Sequence, residues 1–246
     1  MKRPIIISSL LLNIFFLGIA LAVIERKGGY TWVMDKAAGL FHARSQIGYA
    51  ENKNNIFEKL PPIERRDTVF LGDSILDYGE WHEWLGDHAK NRAVNGDDTR
   101  DILKRLHVIT KGKPRNIVLL IGLNNLENDA PLKTVMSEYA EIVNRIRKES
   151  PSTDIWLLSL APVNRALYRR HIIPGHAGIH MPEAEDINNL NNYMKKIASG
   201  QVHYIDLKEL LSPAGELSVD YTLDGEHLNG AGLEIIACKL RQLILH

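Results

Sequence analysis

The stretch Asp67-Thr-Val-Phe-Leu-Gly-Asp-Ser74 decides the expected fold of this chain. Its apolar centre, residues 69–71, is short and β-prone, and it runs directly into Gly72-Asp73-Ser74. This pattern predicts a buried parallel strand that ends in a sharp turn. Because open α/β sheets bind ligands at the carboxyl ends of their strands, Ser74 is a candidate nucleophile. Taken alone, the tripeptide favours a plain helix cap at Ser74, so the catalytic interpretation depends on partners further along the chain.

Four more apolar runs follow, and helical patterns separate them. The later strands are predicted at residues 91–94, 116–121, 155–160 and 202–207. Helices are predicted from the turn at 95–99 through about residue 108, and at 132–148, 183–198 and 230–245. Strands that alternate with helices imply an α/β fold with a parallel sheet, helices on both faces and right-handed crossovers.

Composition sets outer limits on the domain organisation and on the partners. A chain of 246 residues with 45% apolar and 24% charged residues is ordinary for one large globular domain with an appendage. Thirty basic residues balance thirty acidic ones, and no basic stripe is interleaved with aromatics, so nucleic-acid binding is not expected. The single cysteine, Cys238, excludes a disulfide within the chain.

The amino-terminal segment is strongly apolar. After Lys2 and Arg3, residues 4–24 carry no charge, and at ~1.5 Å per residue this run would reach about the ~30 Å of a bilayer core. It predicts an uncleaved transmembrane anchor over residues 1–24, with the later residues outside the cytoplasm in a periplasmic or extracellular space. Secretion after cleavage of a signal segment near Ala20-Leu21-Ala22 is the alternative.

Residues 25–66 are predicted to form a connector between this anchor and a catalytic domain over 67–246. A short amphipathic helix is expected around Trp32 to Phe41, where apolar residues recur at helical spacing. Residues 51–55 and Pro61-Pro62 break that pattern.

Four turns are expected at one edge of the predicted sheet. They are Gly72-Asp-Ser74, Asn95-Gly96, Gly122-Leu-Asn124 and Asp224-Gly-Glu-His227. A serine, a histidine and an acid three residues before it form a complete triad, in which Asp224 fixes the tautomer of His227 and the other ring nitrogen faces Ser74. Asn124 and the Gly96 amide would supply donors for an oxyanion. Each turn also has a purely structural interpretation, but four coincidences in one order favour a site.

These residues resemble the marker blocks of the SGNH (GDSL-type) hydrolases. Ser74 in Leu71-Gly-Asp-Ser-Ile75 matches the first block, Gly96 the second, Asn124 the third, and Asp224 with His227 the fifth. The segments Ile121-Gly-Leu-Asn-Asn125 and Leu160-Ala-Pro-Val163 are similar to the platelet-activating-factor acetylhydrolase-like branch and its bacterial relatives.

The resemblance implies a flavodoxin-like three-layer sandwich, with a five-stranded parallel sheet in the order 2-1-3-4-5. It also implies a shallow site and ester hydrolysis through an acyl-serine, with Ser74, Gly96 and Asn124 as the oxyanion hole. The chain departs from the family pattern at Ile75, where leucine is usual, and at Asn125, where many members carry aspartate and the acetylhydrolase-like branch also shows asparagine. The second departure puts the packing of the third block in question.

Two other functions use the same residues differently. An O-acyltransferase would pass the acyl group to a hydroxyl of a surface glycan instead of water, and the sequence does not separate it from an esterase. A membrane-tethered binding protein with an inactive site is the other alternative, and the intact set of four marker residues argues against it.

No cofactor and no metal are expected. His171, His176 and His180 crowd one stretch, but no cysteine accompanies them and the acids begin only at Glu183, so solvated histidines are favoured over a metal site. Phosphate-binding glycine motifs are missing from the sequence.

The substrate is expected to carry a short acyl group, most simply acetyl, on a carbohydrate. The stretch 163–182 follows the predicted fourth strand, and its polar residues suit a hydroxylated or anionic glycan better than a lipid chain; they are Asn164, Arg165, Tyr168, Arg169, Arg170, His171, His176 and His180. Trp81 and Trp84 are candidates for stacking on a sugar ring. Alternatively, both tryptophans pack in the core and the stretch only faces water.

Overall fold

The computed structural model describes residues 3–27, 29–171 and 180–244. The strands are β1 (Thr68–Gly72), β2 (Ala89–Asn91), β3 (Asn116–Leu120), β4 (Asp154–Leu158) and β5 (Val202–Ile205). The helices are α1 (Arg3–Arg26), α2 (Gly29–Lys59), α3 (Ser74–Asp77), α4 (Trp81–Leu85), α5 (Thr99–Thr110), α6 (Leu123–Glu127), α7 (Leu132–Glu149), α8 (Arg165–His171), α9 (Ala184–Ile197), α10 (Leu207–Leu211) and α11 (Gly230–Ile244).

The contacts divide the chain into two units. The first comprises residues 1–45 and 172–177, and within its described part it consists of α1 and the first half of α2. The second comprises residues 46–171 and 178–246, and it contains the sheet and all later helices. The predicted domain boundaries at residues 24 and 66 stay a prediction.

The five strands form one sheet in the order β2-β1-β3-β4-β5, and every neighbouring pair is parallel. This order confirms the sheet that the sequence led us to expect. Every residue of β1 and β3 is buried, because these central strands are covered on both faces. Parallel pairing brings the carboxyl ends of all five strands to one edge, and that edge positions the site.

Two sets of helices cover the sheet. In one set α5 packs on α7 and α7 on α9, and in the other α11 packs on α4 and on α10. The helix α7 shows why the sequence folds this way, because its buried side chains recur at helical spacing and its other face is polar. These buried residues are Val135, Tyr139, Ile142, Val143 and Ile146.

The second strand differs in its bounds from the prediction, which placed it at residues 91–94. The observed β2 ends at Asn91, but the amides of Arg92 and Val94 still donate to Phe70 O and Gly72 O at 2.8 and 2.9 Å. The ladder with β1 therefore continues irregularly up to the turn that begins after Val94.

The structure corrects the membrane prediction. Among the described helices, none is both long enough and apolar enough to cross a bilayer. The predicted anchor over residues 1–24 is therefore wrong, and so is the localisation across a membrane that was built on it.

The helix α2 is longer than the sequence pattern suggested. It runs without a break through residues 51–55, where polar side chains were expected to end it. Asparagine is only a mild helix breaker, and tertiary contacts of this part of the helix override its low propensity. Those contacts reach α3, the short helix that follows β1.

Candidate active site

Ser74 lies directly after the central strand β1. Asp73 has an extended backbone conformation and its Oδ1 accepts a hydrogen bond from the Ile75 amide at 3.1 Å, so Asp73 caps α3 and Ser74 is the first helical residue. The serine hydroxyl is therefore not used as the cap, which removes the structural interpretation of Ser74. Gly72 allows the close approach behind this turn, because a Cβ there would lie 2.0 Å from Leu120 O on β3.

The loop before α11 carries the other two predicted residues of the triad. Asp224 Oδ1 accepts from the amides of Glu226 and His227 at 3.0 and 2.8 Å, which folds the loop back on itself. Asp224 Oδ2 lies 2.7 Å from His227 Nδ1, and His227 Nε2 lies 3.0 Å from Ser74 Oγ. The structure thus brings Ser74, His227 and Asp224 together in one hydrogen-bonded row.

Gly96 and Asn124 lie on the two turns next to this row. The Asp97 amide donates to Val94 O at 3.1 Å and Gly96 has a φ of +85°, which is the geometry of a tight turn that favours glycine. Asn124 Nδ2 donates to Asp97 O at 2.9 Å, so the two turns are joined. Within the described part of the chain, the exposed Gly96 amide donates to no protein acceptor.

The charges around His227 set its protonation. Burial by itself raises the pKa of Asp224, but the hydrogen bond from His227 and the charge of that ring bring it down to about 2. Burial by itself lowers the pKa of His227, but the hydrogen bond to Asp224 and the charge of Glu226 raise it to about 9. Asp224 is therefore ionised, and it stabilises the protonated form of the ring.

Comparison with known proteins agrees with this geometry. The model of the GDSL-like lipase/acylhydrolase family matches residues 70–235. This chain belongs to that family. It is an ester hydrolase of the SGNH type, as its marker residues predicted.

Relatives of this GDSL-like hydrolase extend the match. Platelet-activating factor acetylhydrolase IB subunit alpha2 of Rattus norvegicus is 31% identical over 186 residues, which cover 73% of this chain and 76% of that protein. A solved structure from Streptococcus pneumonia, provisionally named a platelet activating factor, is 25% identical with a TM-score of 0.72, covering 84% of this chain and 97% of that one. A lipase/acylhydrolase from Enterococcus faecalis, 19% identical, shares the fold with a TM-score of 0.59, covering 73% and 95%.

Asn125, in the third marker block of this GDSL-like hydrolase, has a clear structural use. Its Oδ1 accepts from the Thr99 amide at 3.1 Å and its Nδ2 donates to Thr99 Oγ1 at 2.9 Å. Both the oxygen and the nitrogen of this side-chain amide are hydrogen-bonded to Thr99, and these bonds connect α6 to the start of α5. The third block is therefore well packed with asparagine at this position.

A buried acidic pair that the sequence motifs did not reveal lies beside the histidine of this hydrolase. Glu226 Oε1 lies 3.9 Å from His227 Nε2, and Glu127 accepts a hydrogen bond from Tyr168 Oη at 2.7 Å. Burial raises the pKa of both carboxyl groups, and for Glu226 the neighbouring Glu127 raises it further. Glu226 lies in the fifth marker block, directly before His227. That position was the one sign in the sequence that this carboxyl group would lie near the histidine.

The polar stretch after β4 borders the site in part. It forms α8, and Gly225 packs so closely on it that a Cβ would lie 2.5 Å from the Tyr168 amide nitrogen. Arg169 and Arg170 are exposed, and His180 Nδ1 pairs with Asp129 at 2.5 Å. His176 and the side chain of His171 lie outside the described residues, as do all of residues 172–179.

Trp81 does not form a sugar platform. Only 1% of Trp81 is exposed, its ring stacks on Phe70 with centroids 4.3 Å apart, and its Nε1 donates to Leu76 O at 2.7 Å. Trp81 follows β1 closely in the chain, so its side chain packs into the hydrophobic core beside that strand. Trp84 packs against the same core while partly buried, so stacking on a ring was a wrong prediction for Trp81 and has no support for Trp84.

Proposed function

We propose that this GDSL-like hydrolase cleaves short-chain acyl esters through a triad of Ser74, His227 and Asp224. The observation that carries the proposal is the row from Asp224 Oδ2 through His227 to Ser74 Oγ, with separations of 2.7 and 3.0 Å. Both separations are within the range in which a base takes a proton from a nucleophile while an acid orients the base.

Each residue of the row has one role in the proposed reaction. His227 Nε2 takes the proton of Ser74 as its oxygen attacks the acyl carbon, and Asp224 stabilises the imidazolium that forms. The imidazolium then gives its proton to the alcohol that leaves, and an acyl-serine remains. Water, deprotonated by the same nitrogen, attacks the acyl-serine. The imidazolium returns this proton to Ser74 Oγ as the acyl–oxygen bond breaks and the acid leaves, which restores the starting state.

The oxyanion that forms at each attack would be bound by Ser74, Gly96 and Asn124. The Gly96 amide has no acceptor within the described residues, which leaves its N–H free for an oxyanion. Asn124 has two N–H bonds on Nδ2, and the one that donates to Asp97 O fixes the direction of the other. Fixed donors of this kind stabilise the transition state more than the substrate.

For the substrate we propose an acetyl group on a hydroxylated molecule such as a carbohydrate. Support for acetyl comes from the name of the rat relative, an acetylhydrolase, at 31% identity. Support for a polar alcohol comes from the groups that surround the reactive row, which include the ring of Tyr78, 5.4 Å from His227, and the side chain of Glu226. A long aliphatic chain would find little apolar surface among these groups.

A series of chromogenic esters tests this function on the full chain and on Ser74→Ala. We expect kcat/KM to fall steeply from acetyl to octanoyl esters, and we expect Ser74→Ala to abolish both turnover and labelling by a fluorophosphonate. Labelling that persists in Ser74→Ala would disprove the assignment of the nucleophile, and a preference for octanoyl would disprove the short-chain proposal. Free acetate is measured beside acetyl transferred to added glycans, since transfer in excess of hydrolysis would identify an acyltransferase.

A further inference from the structure

Asp77 is a buried carboxylate close to the proposed nucleophile, and the reaction does not use it directly. It is the last residue of α3, the short helix that Ser74 begins, and only 2% of its side chain is exposed. A carboxylate so deeply buried requires strong partners, because the loss of its hydration is costly. Three donors from two other parts of the chain supply them.

Two of the donors lie on the second half of α2, which sequence analysis had assigned to a connector. Lys53 Nζ donates to Asp77 Oδ1 at 2.6 Å, and Tyr49 Oη donates to Asp77 Oδ2 at 2.6 Å. The lysine side chain is 23% exposed, so water competes only in part with this ion pair. Residues 46–59 therefore belong to the same unit as the sheet.

The third donor is the backbone of the turn that carries Gly96. The Asn95 amide donates to Asp77 Oδ2 at 3.0 Å, and the Asn95 side chain donates to the hydroxyl of Tyr78 at 3.2 Å. The first of these bonds fixes the Val94–Asn95 peptide, which is the neighbour of the Asn95–Gly96 peptide that carries the Gly96 N–H. The direction of the Gly96 amide depends on that neighbouring peptide, since only two soft dihedrals separate consecutive peptide planes.

The other end of the same turn also reaches α2. Asp97 pairs with Arg105 at 2.7 Å, and both side chains are buried. The guanidinium of Arg105 lies 6.0 Å from the ring centroid of Phe57 on α2, and that of Arg92 lies 5.2 Å from it. A cavity of about 670 Å³ lies between α2 and α5 beside this turn. The side chains of Arg92, Arg105 and Phe57 therefore make the contact between α2 and this end of the turn.

We propose that the second half of α2 is a positioning element of the active site, which acts through Lys53 and Asp77 to hold the Asn95-Gly96 turn in its oxyanion-binding conformation. This inference rests on the proposed role of the Gly96 amide. Lys53 and Asp77 are positioning residues, since neither lies in the reactive row. Without the lysine charge, the buried carboxylate loses its ion-pair partner and turns toward water, and the Asn95 amide loses a strong acceptor.

The test compares Lys53→Met with Lys59→Met in the full chain. Lys59 is an exposed residue in the last turn of the same helix, so it controls for loss of a charge on α2. We expect Lys53→Met to lower kcat by ~10-fold, below the ~10²- to 10³-fold that complete loss of one oxyanion donor costs. We expect KM to stay within about twofold of wild type, because the turn acts on the transition state. Lys53→Arg, which keeps the charge, should recover most of the rate.

A second readout does not depend on catalysis. Amide hydrogen exchange in residues 94–97 should be faster in Lys53→Met than in Lys59→Met, while exchange in β3 stays the same in both. Combining Lys53→Met with Asp77→Asn should lower kcat no further than the more severe of the two single changes, because both remove one interaction. Equal kcat and equal exchange in the two lysine variants would overturn the inference while Ser74→Ala still reports on the proposed function.

Discussion

Glu226 Oε1 lies 3.9 Å from His227 Nε2, the same ring nitrogen that faces Ser74 Oγ at 3.0 Å. The imidazole therefore has an acid near each of its nitrogens, because Asp224 is bonded to Nδ1 at 2.7 Å. Both acids favour the protonated ring, which is not the form that accepts a proton from the serine. The proposed role of His227 as a base therefore depends on the fraction of the ring that is neutral, and these two acids lower that fraction.

The pH dependence of kcat/KM should report this fraction. His227 must be neutral to act as the base, and its pKa is raised to about 9. Activity should therefore increase with pH, and the midpoint of this ascending limb of the pH profile should lie near that value. The neutral fraction at pH 7 would then be roughly 1%, compared with a majority for a histidine at the reference pKa of ~6.5. Initial rates on an acetyl ester between pH 5 and 10, corrected for spontaneous hydrolysis, measure the limb. A limb near 6.5 would contradict this reading of the electrostatics.

Glu226→Gln should shift that limb downward. Glu226 is faced by Glu127 and Asp73 on other elements, and by Asp224 and His227 on its own loop. Its charge is one of the causes that raise the pKa of His227, so the neutral glutamine should lower that pKa. At pH 7 the rate should then rise by up to about 10-fold. Glu216→Gln, at an exposed site, is the matched control, and an unchanged limb in Glu226→Gln would show that Glu226 does not tune the base.

Asn124→Ala tests the proposed oxyanion donor. We expect kcat/KM to fall by ~10²- to 10³-fold, the usual effect of removing one such donor. The thermal midpoint should change little, because the side chain is only partly buried and its one hydrogen bond within the described residues is to Asp97 O. Asn188→Ala, at an exposed position on α9, controls for general effects of the substitution. An undiminished rate would return Asn124 to a structural role in its turn.

Gly72→Ala should destabilise the whole sheet. Its Cβ would lie 2.0 Å from Leu120 O, a backbone atom of the central strand pair. β1 would have to separate from β3, and we expect the free energy of unfolding to fall by about 1 to 3 kcal/mol or more, as for other overpacked sites. Urea unfolding measures this, with Gly230→Ala as the control, since a Cβ at Gly230 meets nothing within 4 Å. Equal midpoints for the two variants would show that the sheet accommodates the extra carbon.

The sequence predicted a parallel sheet and the turns that meet at its edge from local patterns, and it predicted the order of the strands through its resemblance to the SGNH hydrolases. Apolar runs of strand length, separated by helical patterns, leave few topologies once crossovers are right-handed. Parallel strands then bring their carboxyl ends to one side, which is why residues as distant as Ser74 and His227 could be predicted to meet. Their hydrogen bond, at a sequence separation of 153 residues, lies at that edge.

Tertiary structure decided the features that depend on packing between elements rather than on local pattern. Trp81 was open to two interpretations in the sequence, and the space beside Phe70 assigned it to the core. The membrane prediction failed, and the break expected within residues 51–55 is absent from α2. In α2, contacts with distant residues outweighed the low helix propensity of residues 51–55.

The surroundings of Ser74, His227 and Asp224 show most clearly which features follow from local sequence and which follow from tertiary packing. The identities of Ser74, Asp224 and His227 follow from short motifs, because each motif encodes its own turn. The acid beside His227 Nε2 and the lysine that holds Asp77 carry no motif, since they act through distance and burial. Distance and burial are defined only once the chain has folded. Both determine the charge of these side chains and the directions in which they point.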